Sequence, residues 1–205
     1  MSSQPGTAVK TKSAYHHGDL RAQLIAAATE LVETHGPDGF SVSEAARWAG
    51  VSSAAPYKHF RDREEILRGV ASLAMSRLAE NMARAASRFE EGSLEAVAAV
   101  GQAYIDFARL EPGIFRLVFG LTEGHEEAPE LLEKGRSCFA IVAETSARFL
   151  GLAHDDPDVQ RRAYLLWAFV HGHSFLTIDK KNKSSRTRDD DWAFLMEVTG
   201  SILRN

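Results

Sequence analysis

Apolar residues recur at three- and four-residue spacing along almost the whole of this chain, and the strict alternation of a half-buried strand is hard to find. Leu20, Leu24, Ala28 and Leu31 mark one face of a first helix, and Ile66, Leu67, Val70, Leu73 and Leu78 carry a long one. Val97, Val100, Tyr104 and Phe107 repeat the pattern, as do Leu131, Gly135, Cys138, Val142, Ser146 and Phe149. Val159, Ala163, Leu166, Trp167 and Val170 follow, then Trp192, Leu195, Met196, Thr199, Ile202 and Leu203. Stripes of this period must bury against other elements, and with no sheet in prospect the expected fold class is all-α, with about nine helices.

The breaks between stripes are written in turn and capping chemistry. Gly36-Pro37-Asp38-Gly39 stops the first helix. Ser41 with Glu44, and Asp62 with Glu65, have the spacing of a capping box, in which two side chains satisfy orphan N–H groups reciprocally. Ser52 and Ser93 stand where N-caps are needed, and Asp156-Pro157 puts proline at a first helical position, where its missing N–H costs nothing. Glu111-Pro112-Gly113 sets off a short apolar segment, Ile114 to Phe119. Glu123 to Glu130 and Lys180 to Asp191 read as charged, exposed loops.

Composition removes several classes of function. No apolar run approaches the ~20 residues of a membrane span, and Met1 to Thr11 lack the apolar centre of a secretory leader. The single cysteine, Cys138, permits no internal disulfide, so a cytoplasmic location is expected. No nucleophile elbow, metal-ligand pair or phosphate-cradling glycine loop appears, so neither an enzyme nor a cofactor or metal is expected. His171 and His173 point about 200° apart on a helix and cannot share a metal. Net charge is −4, but up to Arg61 the chain has six Lys and Arg against five Asp and Glu, so the acidic surplus lies downstream. That balance permits nucleic-acid binding near the N-terminus without establishing it.

The stretch Ser41 to Phe60 carries the chemistry. Two short helices, roughly Val42 to Trp48 and Ser52 to His59 or Phe60, are joined by Ala49-Gly50-Val51, where glycine allows the positive φ of a tight helix-turn-helix. Ala45, Ala46 and Ala49 let the second helix pack close, and its small leading residues Ser53 and Ala54 leave its approach to a major groove about 12 Å wide unobstructed. Tyr57, Lys58 and His59 can donate to phosphate oxygens; Arg47 flanks them, and Lys10 and Lys12 can extend an arm along the backbone.

Residues Tyr15 to Val70 resemble the DNA-binding domain of the TetR family of transcriptional repressors. The resemblance rests on Ala26-Ala27-Ala28-Thr29-Glu30-Leu31, Gly36, Gly39-Phe40-Ser41-Val42, Ala45-Ala46, Ala49-Gly50-Val51-Ser52, Tyr57-Lys58-His59-Phe60 and Arg63-Glu64-Glu65-Ile66-Leu67. It implies an arm (1–14), a helix-turn-helix domain (15–62) and a ligand-binding and dimerisation domain (63–205), in a homodimer joined through the last two helices. It also implies phosphate contacts for Tyr57, Lys58 and His59 and base contacts for Ser53 and Ala54; with Lys10, Lys12, Ser41, Arg47 and Ser52 these make up the expected DNA-contacting set. Where many members have Gly-Thr-Leu before the tyrosine, this chain has Ala54-Ala55-Pro56, so their operator cannot be borrowed. Trp167-Ala168-Phe169-Val170-His171-Gly172 is similar to the tryptophan-histidine-glycine signature of one C-terminal subgroup.

The expected function is therefore a repressor released from a palindromic double-stranded operator by a small apolar or amphipathic effector. Phe107, Phe115, Phe119, Phe139, Trp167 and His171 are candidates to line its cavity. The same aromatic residues could instead fill a solid core, which would favour a regulator answering to a protein partner. A cavity of several hundred cubic ångströms separates the two readings.

Overall fold

The computed structural model describes residues 20–120, 128–179 and 188–204. Lys10, Lys12, His16, His17, most of the acidic run and residues 180–187 lie outside the described residues. Among the described residues eight α-helices follow one another: α1 (Leu20–Gly39), α2 (Val42–Trp48), α3 (Arg63–Ala86), α4 (Leu94–Leu110), α5 (Pro112–Gly120), α6 (Pro129–Leu150), α7 (Pro157–Ile178) and α8 (Arg188–Arg204). A 3₁₀ turn, η1 (Pro56–Lys58), lies between α2 and α3, and no strand occurs among the described residues. None of these helices is long and apolar enough to cross a membrane.

The all-α expectation holds, but the second helix of the helix-turn-helix is η1 rather than two turns of α-helix. Pro56 has no N–H to give the Ser52 carbonyl, and that carbonyl instead receives the Ala55 N–H at 3.0 Å, in a tighter turn. Ser52 consequently caps nothing; the residue preceding η1 is Ala55. The Ser41–Glu44 box is also absent: the Ser41 hydroxyl pairs with that of Ser43 at 2.8 Å, and Glu44 turns to Arg47. The other caps form, with Asp62 accepting from the Glu65 N–H at 2.7 Å, Ser93 from Ala96 at 3.1 Å and Asp156 from Asp158 at 2.8 Å, but the Asp62–Glu65 box is only half made, because the Glu65 carboxylate accepts from the Arg61 N–H instead. At Gly36, φ is 76°, which breaks α1 at the expected turn.

Both charged loops end sooner than expected. Pro129 and Glu130 already open α6, and α8 begins at Arg188. Asp191, read as exposed, is wholly buried because α4 brings Arg109 against its carboxylate, with His173 of α7 3.6 Å away. A charge can leave water when a partner of opposite sign goes with it, and sequence spacing does not reveal a partner so distant.

Helix α4 is the hub of the C-terminal half, packing on α3, α5, α6, α7 and α8. The long α3 is shared. Its first turns carry Ile66, Leu67 and Val70 beneath α1, and its later turns carry Met75, Leu78 and Met82 against α4 and α6. The short α5 lies against α1 as well as α3 and α4. Two elements, α3 and α5, thus connect the N-terminal helices with the rest.

Candidate nucleic-acid interface and ligand cavity

The N-terminal face begins with small buried residues. Ala45, Ala46 and Ala49 pack α2 onto α1, and Gly50, at φ 71°, turns the chain so that the Val51 N–H reaches the Ala46 carbonyl at 2.9 Å. Pro56 and Phe60 are buried and pin η1 from below. Arg21 of α1 lies 4.4 Å from the centre of the Phe60 ring, donates to the His59 carbonyl at 3.2 Å and pairs with Glu65. The Arg61 N–H bonded to Glu65, with Arg21 beside it, holds that carboxyl below the usual range.

What this frame presents outward is Arg47, Ser52, Ser53, Ala54, Tyr57, Lys58 and His59, all exposed and on one short stretch of chain, with Ser41 half-buried at the start of α2. Tyr57 is 61% exposed, far more than packing alone would leave a tyrosine. Lys58 and His59 make no ion pair with any described residue, so their donors are free for phosphate. Sequence reasoning missed Arg21 and Glu65, whose partners lie about forty residues away along the chain. It also missed Trp48, 58% exposed beside Arg47 at the end of α2.

In the C-terminal half a cavity of about 590 Å³ opens between α3, α6 and α7. Of the six candidates, Phe119, Phe139 and Trp167 line it, with Tyr104, Tyr164, Met75 and Met82. The other candidates fall elsewhere. Phe115 is fully buried, its ring centre 5.7 Å from that of Tyr104, and serves as core. Phe107 sits on the opposite side of α4, in a groove with Phe89, Leu110 and Trp192. His171 stands behind the wall, 2.8 Å from the Tyr104 hydroxyl.

The inner wall is uncharged. Burial pushes the Tyr104 hydroxyl far above its ordinary range, lowers His171, and raises the Cys138 thiol to about 11. Arg136 and His154 are exposed at the mouth, so the guanidinium charge lies toward solvent.

The cavity touches the two connecting helices. Met75, Leu78 and Met82 of α3 line it, as do Val118 and Phe119 of α5. At the other end of α5, the Ile114 N–H donates to the Glu33 carboxylate of α1 at 3.0 Å. Gly113 there lies so close to α1 that a Cβ would meet the Val32 carbonyl oxygen at 2.6 Å and the Glu33 Cα at 2.9 Å. Only glycine permits this approach. Arg63 at the start of α3 donates to the carbonyls of Phe40 and Pro37, tying α3 to the turn before α2.

The sequence pattern of the bacterial regulatory proteins of the tetR family matches residues 24–70, and that of the tetracyclin repressor-like C-terminal domain matches residues 97–199. A protein of unknown function from Rhodococcus sp. RHA1 is 26% identical, the match covering 94% of this chain and 97% of that one, with a TM-score of 0.78. A tetR-family transcriptional regulator from Streptomyces coelicolor is 17% identical over 89% of this chain and 81% of its own, with a TM-score of 0.70. The transcriptional regulator FadR of Bacillus subtilis, solved in complex with stearoyl-CoA, is 17% identical over 89% and 95% of the two chains, with a TM-score of 0.66. The last two likenesses are of fold. No curated protein sequence matches.

Proposed function

The chain belongs to the TetR family of transcriptional regulators, and from that premise we propose that it is a repressor that leaves a palindromic operator when a small apolar or amphipathic molecule enters its cavity. The observation that carries this reading is that α3 and α5 each line the cavity with one part and grip the N-terminal helices with another. A ligand that binds better when α3 and α5 are displaced shifts the population toward a state in which the η1 face no longer matches the DNA. A cavity of about 590 Å³ supports a small-molecule effector over a regulator worked by a protein partner, which would leave a filled core. The structural neighbour bound to stearoyl-CoA is in keeping with an apolar effector.

The dimer fits the outer face of α7. Leu165, Ala168, Gly172 and Leu176 are exposed along one stripe at helical spacing, and a Cβ at Gly172 would meet nothing within 4 Å. Apolar residues flanking small ones suit close packing against a second copy's helix. Two such copies would place two η1 faces in successive major grooves, about 34–36 Å apart.

Lys58→Ala tests the assignment of the face. Loss of a phosphate contact should weaken DNA binding by a similar factor on every sequence and reduce the salt slope of log affinity by about one. Unchanged affinity and slope would remove Lys58, and with it the η1 face, from the contact surface.

A further inference from the structure

The inner wall of the cavity defines the chemistry of its occupant. Tyr104, Phe119, Phe139, Tyr164 and Trp167 face it as rings, and the Met75 and Met82 thioethers close it from α3. Trp167 is the hub of these rings, with its ring centre 6.4 Å from that of Phe139 at 80° and 5.9 Å from that of Tyr164 at 58°. Rings so inclined offer both faces and edges to the same space, and an aromatic guest gains edge-to-face and sulfur–aromatic contacts there that an alkyl chain does not.

The polar end is equally selective. The Tyr104 hydroxyl lies 2.8 Å from His171 Nδ1. In the tautomer whose Nδ1 accepts, the hydroxyl gives its one proton to the imidazole and keeps its lone pairs. What it then offers the cavity is an acceptor. A guest group that meets it must carry a hydrogen, which an ether or carbonyl lacks. A carboxylate there would face an acceptor and an apolar wall with no cation, since Arg136 stands at the mouth. No carboxylate belongs to the described residues lining the cavity, so an ammonium finds no counter-charge either.

We propose that His171 Nδ1 accepts from the Tyr104 hydroxyl, and that the cavity takes an uncharged aromatic molecule with a hydroxyl at its buried end, a phenol or aromatic alcohol, which donates to the Tyr104 oxygen. This deepens the ligand-responsive reading above and rests on it for its regulatory meaning, but the class of guest can be tested by binding alone. Calorimetry on the full chain would compare 4-hydroxybiphenyl with 4-methoxybiphenyl, biphenyl-4-carboxylate and dodecan-1-ol.

The expected result is that 4-hydroxybiphenyl binds at least about tenfold more tightly than each of the others, consistent with one net hydrogen bond to the site. In Tyr104→Phe its advantage over 4-methoxybiphenyl should vanish while 4-methoxybiphenyl binds as before, which also shows that the variant is folded. Equal binding of the hydroxy and methoxy compounds, tighter binding of the carboxylate or the alkanol, binding by none of the four, or a hydroxyl preference that survives Tyr104→Phe would overturn the proposal. DNA affinity measured alongside keeps the two readings apart. If the phenol binds as expected and the DNA complex is undisturbed, the class of guest stands and release by ligand fails.

Discussion

Around α2 the helices meet through alanine: Ala27, Ala28, Ala45, Ala46 and Ala49 are all buried, and Leu24, Phe40, Val42 and Phe60 fill the space beside them. Around the α3–α6–α7 cavity the interior is made of Met75, Met82, Phe119, Phe139 and Trp167, and it leaves about 590 Å³ unfilled. Small side chains give a filled interior with no freedom to rearrange, which suits a frame that must hold Tyr57, Lys58 and His59 in register. Large, adaptable ones give an interior that can close on a guest. Within one chain, the frame of the proposed reading surface and the wall of the proposed ligand cavity thus differ in the side-chain volumes they are built from.

Substitutions of one type in the two settings should expose that difference. The largest effect is expected at Phe115, which is fully buried and touches Tyr104, Phe119 and Phe175. Phe115→Ala should cost about 3–5 kcal/mol in denaturant unfolding. Phe139→Ala, at the wall of a cavity that already exists, should cost less than half as much, because little new void is created. Equal losses would mean that the cavity is closed and packed in solution.

Gly113→Ala comes next. Its Cβ would run into backbone atoms of α1 that cannot swing aside, so a loss of about 1–3 kcal/mol is expected. If α5 carries the signal, the variant should also respond less to ligand; a variant of full stability and full response would remove α5 from the connection. The smallest contrast is between two serines that look alike in sequence. Ser93→Ala removes a formed cap and should cost about 1 kcal/mol. Ser41→Ala removes no cap bond and should stay within about 0.5 kcal/mol.

Those serines also show what a sequence can disclose. Helix faces such as Val97, Val100, Tyr104 and Phe107 were legible because periodicity is local, and so was the turn at Gly50, because it needs a particular backbone conformation. The reduction of the recognition helix to η1 was half-legible: Pro56 was visible, but the hydrogen bond it forfeits depends on which carbonyl faces it. The burial of Asp191 against Arg109, and the anchoring of η1 by Arg21, join residues 82 and 38 positions apart and had no local signal. In the cavity, aromatic content marked the region without dividing wall from core. Phe119 and Phe115 are one helical turn apart on α5, and only the neighbouring helices decide which of them meets open space.

The central claim is that two copies of the η1 face read DNA together, and selection of bound sequences from a random duplex library at two salt concentrations tests it most directly. The account predicts enrichment of a palindrome whose half-sites lie about one helical turn apart, with affinity falling steeply as salt rises. Enrichment of a single half-site, or none at either salt, would contradict it.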